Sequence, residues 1–348
     1  KFLTYCQFLN MKILIVKMSS LGDVIHTIPF VRVLKKNFPN AQIDWVVNEA
    51  YETLLKGNPD ISEVITFKRK KWLSFIGFFK NLSEIKKFSN YLKSKKYDYV
   101  IDLQGLFKSI LIVLMANGKK VVGFSNPREP VSPFYDEKVE GDYNNHAILR
   151  YLSLLKPLGV DWKEEDIDFF IPLTDKDIDC VNNFLNELGI KDNKYAVFAP
   201  FSRWKTKMWE QDRFKRLGEI FESKGLPVVF TGDKNEKLSF SPKRSLVGRL
   251  TINQLYYLMK NSLFVLTCDS GAMHIASASG TKIFAIFGPT SSDRTGPFSL
   301  KIPATIIKKE GIECAPCFKK ECQKSMECMD ISVEEVYKII EKELSERF

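Results

Sequence analysis

The chain has 348 residues, 45% of them hydrophobic and 27% charged, and a formal net charge of +10. That balance excludes a disordered or fibrous protein, and the length is enough for two domains, each with its own core. The longest unbroken apolar run, Ile110–Ala116, is far too short to span a bilayer. Residues 1–10 precede Met11 and lack the continuous apolar stretch of a secretory signal. Met11 is therefore expected to be the functional start, and the protein to be cytoplasmic. The positive charge points to nucleic acid, an anionic membrane or an acidic substrate, or else reflects a lysine-rich composition. No nucleic-acid-binding signature accompanies it.

Lys12–Lys17 reads as a buried strand, followed by Met18-Ser-Ser-Leu-Gly-Asp23 and a helix with Val24, Ile28 and Val31 on one face. That helix must end before Pro39. Further strands are expected at Gln42–Val47, Val64–Phe67, Tyr99–Leu103 and Lys120–Gly123. Helical stretches separate them, so the sheet should be parallel. In the first turn Gly22 allows a sharp bend and puts Asp23 near a helix start. There Asp23 either caps the helix or serves as a general base. The positive helix terminus keeps it ionised while weakening its basicity. The run Lys68-Arg-Lys-Lys-Trp72, which includes Lys71, is either a solvated face or a recogniser of an acidic acceptor or lipid headgroup. Asp102-Leu-Gln-Gly-Leu-Phe-Lys108-Ser109 also follows a strand, and Arg128 lies in a proline-flanked loop.

The segment 161–175 reads as an interdomain linker, and a second α/β series begins after about residue 172. It comprises a strand at Tyr195–Ala199, a helix at Gln211–Ser223, a strand at Val228–Thr231 and a helix at Ile252–Lys260. Next come a strand at Leu263–Thr267 and a helix opened by Asp269, Ser270 and Gly271 that carries His274. A strand at Ile283–Phe287 runs into Gly288-Pro289-Thr290, and Ala304–Lys308 is the last strand. Val333–Glu346 is a final helix with Val333, Val336, Ile340 and Leu344 on one face. Two successive strand ends opening into polar, glycine-bearing turns form the crevice where such sheets bind ligands. Free helix amides there favour a diphosphate. Lys207, in the loop from Ser202 to Trp209, is placed to neutralise developing phosphate charge. Glu236 either accepts from ribose hydroxyls or stays a solvated loop carboxylate. No Asp-x-Asp pair marks a magnesium site, so no metal is expected in the chemistry.

Four of the seven cysteines, Cys314, Cys317, Cys322 and Cys328, lie close together but include a single Cys-x-x-Cys pair. They read as reduced thiols, with a structural metal or a disulfide pair as alternatives. The whole is expected to be α/β, with two Rossmann-like domains facing each other across a cleft.

Four segments together resemble the lipopolysaccharide heptosyltransferases of glycosyltransferase family 9. They are Lys17-Met-Ser-Ser-Leu-Gly-Asp-Val-Ile-His-Thr-Ile-Pro29, Asp102-x-Gln-Gly-x-x-Lys-Ser109, Ser202-Arg-Trp-x-Thr-Lys-x-Trp209, and Asp269-Ser-Gly-x-x-His274 with Phe-Gly-Pro-Thr290. The resemblance implies a GT-B fold. It assigns residues 11–172 to an acceptor-binding domain and 173–330 to an ADP-sugar-binding domain. Residues 331–348 become a helix that packs back on the first domain. It also implies an inverting, metal-independent and cofactor-free transfer of heptose from ADP-heptose to the inner core.

The Met-Ser-Ser-Leu-Gly-Asp-Val-Ile-His form is most similar to members that act on the Kdo sugar of Kdo-lipid A. A core heptose acceptor, or a nucleotide-sugar epimerase of the same fold, are the alternatives. By the same resemblance Asp23 is the base, and Ser202 and Lys207 bind the diphosphate. Asp269, Ser270, Gly271, His274, Gly288 and Thr290 complete the donor site, while Glu236 holds the ribose. Ser20, Gly22, Lys68, Lys71, Gln104, Lys108 and Arg128 would meet the acceptor. The partner is then an acidic glycolipid, met by peripheral contact with the cytoplasmic face of the inner membrane, and no nucleic acid is involved.

Overall fold

A computed structural model describes residues 11–68, 72, 80–298 and 302–345 of the chain. Contacts divide it at Pro172 into two units, Lys1–Pro172 and Leu173–Phe348. In the first, the strands are β1 (Lys12–Val16), β2 (Gln42–Asn48), β3 (Glu63–Phe67), β4 (Tyr99–Asp102), β5 (Lys120–Phe124) and β6 (Glu137–Val139). All pair in parallel in the order β3-β2-β1-β4-β5-β6. Strands covered on both faces must be apolar throughout, and β1 is: Ile13 to Val16 are fully buried.

β6 is the strand that sequence patterning misses. It is three residues long, carries Glu137 and Lys138, and pairs at the sheet edge, where burial does not demand an apolar run. The longer helices of this unit are α1 (Leu21–Asn37), α2 (Leu82–Ser94) and α3 (Phe107–Ala116), with a short α4 (Ala147–Leu152). The chain builds outward from β1 to β3, then returns to place β4 against the other side of β1. The ends of β1 and β4 therefore flank the crevice at which the winding reverses.

Most of the expected linker belongs to the first unit. Ile167 and Ile171 are buried, Asn58 Nδ2 donates to the Phe170 carbonyl at 3.1 Å, and Lys36 pairs with Asp166. The two buried isoleucines are the reason this segment is fastened down.

The second unit holds α5 (Asp175–Glu187), β7 (Ala196–Ala199), α6 (Gln211–Ser223), β8 (Val228–Phe230), α7 (Ile252–Lys260) and β9 (Phe264–Cys268). α8 (Gly271–Ser279), β10 (Lys282–Phe287), β11 (Thr305–Lys308) and α9 (Val333–Ser345) follow. Its parallel sheet runs β8-β7-β9-β10-β11, so the reversal here falls between β7 and β9. Phe198 on β7 meets Phe214, Phe221 and Phe230 edge-on at 6.0, 6.2 and 5.5 Å. Such pairing locks the sheet to α6.

The final helix buries its apolar stripe in the core of the second unit. Val333, Val336 and Ile340 join the core formed by Phe214, Leu217 and Phe221, and Lys282 Nζ reaches Glu343 at 2.7 Å. Just before it, the Ile331 carbonyl accepts from Trp209 Nε1 and Arg213 Nη1 at 2.9 and 2.6 Å. Those bonds deliver the chain onto α6, and the stripe closes there. No helix among the described residues is long and apolar enough to cross a membrane.

Candidate active site

At the first reversal, Ser20 precedes α1 and Asp23 sits in its first turn. Asp23 Oδ2 accepts from the Ser20 backbone N–H at 2.9 Å and from the Ser20 hydroxyl at 2.7 Å. Asp23 Oδ1 accepts from the Tyr151 hydroxyl at 2.7 Å and pairs with Lys17 Nζ at 3.5 Å. The cap and the candidate base are thus one group: one oxygen serves the helix end, and the other is held from α4. Some 37% of the side chain stays exposed.

Lys17 is buried. Its ammonium also donates to the Leu103 carbonyl at 2.8 Å and to Tyr151 Oη at 2.7 Å, and it lies 4.4 Å from the Tyr151 ring centre. Burial alone would raise the Asp23 pKa. The Lys17 ammonium and the bonds from Ser20 and Tyr151 outweigh it and hold the carboxyl well below the usual carboxylate range. Burial pushes the Lys17 ammonium down, partly offset by Asp23, and pushes the Tyr151 hydroxyl well up, reinforced by Asp23. Asp23 is therefore a fixed anion, and Tyr151 a donor that keeps its proton.

The β4 end braces this turn. Asp102, fully buried, accepts from the Gln104 and Gly105 amides at 2.9 and 3.1 Å, and from the Ser109 and Tyr135 hydroxyls at 2.8 Å each. Gly105 at φ +63 lets the chain curl around that carboxylate. Gln104 Oε1 then accepts from the Met18 and Ser19 amides at 3.1 Å each, and Lys108 Nζ donates to Ser19 Oγ at 2.9 Å.

Among the residues expected to meet the acceptor, Ser20, Gly22, Gln104 and Lys108 thus gather at one place. Gln104 braces the backbone with its carbonyl oxygen. Lys68 lies after β3, two strands away, and pairs with Glu84 at 2.9 Å. Arg128 is exposed in the loop after β5, and Lys71 lies outside the described residues. Lys17 and Tyr151 were not singled out as site residues. A lysine closing an apolar strand was a usable signal for the first; nothing local marks the second.

At the second reversal one carboxylate laces three strand ends together. Asp269, after β9, accepts from Lys207 Nζ and Thr290 Oγ1, both at 2.6 Å on Oδ2. Its carbonyl accepts from Ser202 Oγ at 2.8 Å. Asp269 is nearly buried, and its carboxylate holds both Lys207 and Thr290. Lys207 also lies 4.5 Å from the Trp204 ring centre.

Ser270 is the N-cap of α8 by its backbone but makes no side-chain cap bond. Its hydroxyl is 3.4 Å from Thr267 Oγ1. Gly271 and Ala272 are half-exposed in the first turn, where amides lack helical partners and can meet an anion beside Lys207. His274 is buried within α8. Glu236 caps its own turn, accepting from the Asp233 amide at 2.7 Å. Burial, then the nearby Asp233 charge, raises its pKa.

A Cβ on Gly288 would fall 2.3 Å from Met329 Sδ, so a larger residue there would have to displace that side chain. The cysteine-bearing segment backs the same turns. The Phe318 amide donates to the Pro289 carbonyl at 2.8 Å, and Thr206 Oγ1 donates to the Lys319 carbonyl at 2.9 Å. Cys314, Cys317, Cys322 and Cys328 are free thiols lining one cavity beside Pro289. Among the described residues no group of three potential ligands is placed to hold a metal.

Two parallel-sheet units in one chain, each with a reversal in its strand order, are the ground plan of GT-B glycosyltransferases. The description of glycosyltransferase family 9 (heptosyltransferase) matches residues 85–327. Lipopolysaccharide heptosyltransferase 1 of Pseudomonas aeruginosa is 28% identical over 322 residues, 90% of this chain and 87% of that protein. Lipopolysaccharide heptosyltransferase 3 of Escherichia coli is 26% identical over 295 residues, 77% of this chain and 80% of that protein. Among solved structures, the family 9 glycosyltransferase from Veillonella parvula superposes with a TM-score of 0.81 at 24% identity, covering 97% and 98% of the two chains. E. coli heptosyltransferase WaaC with ADP-2-deoxy-2-fluoro heptose superposes with a TM-score of 0.72 at 24% identity, covering 96% and 100%. The chain belongs to glycosyltransferase family 9, and it is a heptosyltransferase with the GT-B fold.

Proposed function

We propose that this enzyme transfers heptose from ADP-heptose to the Kdo sugar of the lipopolysaccharide inner core, with inversion and without a metal. In this reading Asp23 Oδ1 takes the proton of the acceptor hydroxyl as that oxygen attacks the anomeric carbon. The bond to the diphosphate breaks on the opposite face, and ADP leaves. Because the Asp23 pKa is low, proton transfer comes late, when bond formation has already acidified the hydroxyl. Lys207 and the first amides of α8 stabilise the charge that builds on the leaving diphosphate, and Glu236 holds the ribose. Ser202 and Thr290 keep Asp269, and through it Lys207, in place. In this reading the acceptor is lipid-borne and acidic, met at the cytoplasmic face of the inner membrane, and the net charge of +10 supports an acidic partner.

The observation that carries the proposal is a half-exposed Asp23 carboxylate fixed from two elements at a sheet reversal. Incubation with ADP-heptose and purified Kdo-lipid A, read by mass spectrometry, should show addition of one heptose. A second reading has a heptose of the core as acceptor, and 26% identity to heptosyltransferase 3 favours it. Transfer only onto an already heptosylated acceptor would establish that one instead.

A further inference from the structure

α3 is apolar around nearly its whole circumference; only Lys108 and Ser109 interrupt it. Its inner face, with Ile110, Val113 and Ala116, shares a core with Ile85 and Leu92 of α2. A helix of that composition normally has cover on every side. Here Phe107, Leu111 and Leu114, spaced i, i+4 and i+7 along one stripe, are 56%, 44% and 58% exposed. The neighbouring helix says what covers them. α2 lies beside α3 on the same face of the sheet, and Lys86, Lys87 and Lys93 are exposed along it. Its single acid, Glu84, is taken up by Lys68 and by Trp72 Nε1.

An apolar stripe flanked by exposed lysines that have no ion pair among the described residues matches the surface of an anionic bilayer: side chains enter the acyl boundary while lysines meet headgroups. The position fits as well. α3 begins at the brace of the Asp23 turn, where Lys108 touches Ser19 and Ser109 touches Asp102.

We infer that the outer faces of α2 and α3 form the membrane-docking surface of this enzyme, bringing the acceptor turn to the bilayer that carries the acceptor. This rests on the reading of a lipid-borne acceptor, but the surface is tested without turnover. Co-sedimentation with vesicles of phosphatidylethanolamine and phosphatidylglycerol should retain the protein, and raised salt or pure phosphatidylcholine vesicles should release it. Leu111→Gln with Leu114→Gln should weaken partitioning about tenfold or more. Lys86→Glu with Lys87→Glu, which touches no core residue, should do the same and keeps the test decisive if the first pair unfolds. Transfer to a soluble, deacylated acceptor should be unchanged in both.

Absence of vesicle binding, or binding unaffected by either pair, overturns the inference. So does a dimer in sedimentation equilibrium that Leu111→Gln with Leu114→Gln dissolves, because a second copy would then be the cover. Vesicle binding without transfer to any acceptor would bring down the functional reading and leave the surface standing.

Discussion

The Tyr151 hydroxyl donates to Asp23 Oδ1 at 2.7 Å across 128 residues of chain, and Lys17 Nζ donates to the same hydroxyl at 2.7 Å. Two donors in series therefore set both the direction and the ionisation of the carboxylate read as the base.

Tyr151→Phe removes one of the bonds that stabilise ionised Asp23, worth about 1.5–3 kcal/mol for a charged partner. The Asp23 pKa then rises toward its ordinary value. The acid limb of kcat/KM should move to higher pH, with ADP affinity unchanged. The same sign governs folding. A carboxyl whose pKa is depressed on folding contributes stability above its unfolded value, about 3.9, and that contribution drains as pH falls toward the folded value. Urea unfolding of the wild type should therefore lose more stability on acidification than unfolding of the variant. An unchanged acid limb would remove Tyr151 from this role.

Asp23→Asn keeps the size of the group and discards its basicity. Turnover should fall about a hundred- to ten-thousand-fold, while ADP binding by calorimetry stays within a few fold. Near-normal turnover would show that another group takes the proton.

Lys207→Met leaves Asp269 charged and nearly buried without its cation, which costs about 3–5 kcal/mol. Adding Asp269→Asn should recover most of that stability without restoring turnover or ADP affinity. Recovery of activity in the double variant would mean that Lys207 serves the fold alone.

Gly123→Ala would set a methyl group 2.4–2.6 Å from three atoms of the buried Tyr135 ring. Overpacking of that kind costs about 1–3 kcal/mol and would move the Tyr135 hydroxyl off Asp102. Denaturant midpoints should fall. kcat should fall too, because Asp102 shapes the Gln104 loop that braces the Asp23 turn. Tyr135→Phe, which keeps the ring, should give a smaller loss of stability.

Periodicity and composition were enough to place the apolar strands to within a residue of their observed ends, α6 and α7 at their observed bounds, and the turns that carry Asp23, Lys207 and Asp269. They worked because burial on both faces of a parallel strand, or on one face of a helix, leaves a local pattern in the chain. β6 escaped for the opposite reason: an edge strand of three residues needs no such pattern.

Partners remote in the chain were decided only by the fold. An apolar stripe on Val333–Ser345 announces a helix but not which core receives it, and that choice fell to Trp209, Arg213 and the α6 face. No local pattern announces that Lys207, 62 residues earlier, sits on the Asp269 carboxylate. Tyr151 carried no signal at all, since only the return of α4 to the β1 end brings its hydroxyl to Asp23. Local sequence sets which face of an element is apolar and where it must turn; the order in which strands stack sets which turns become neighbours, and the chemistry of the site depends on that order.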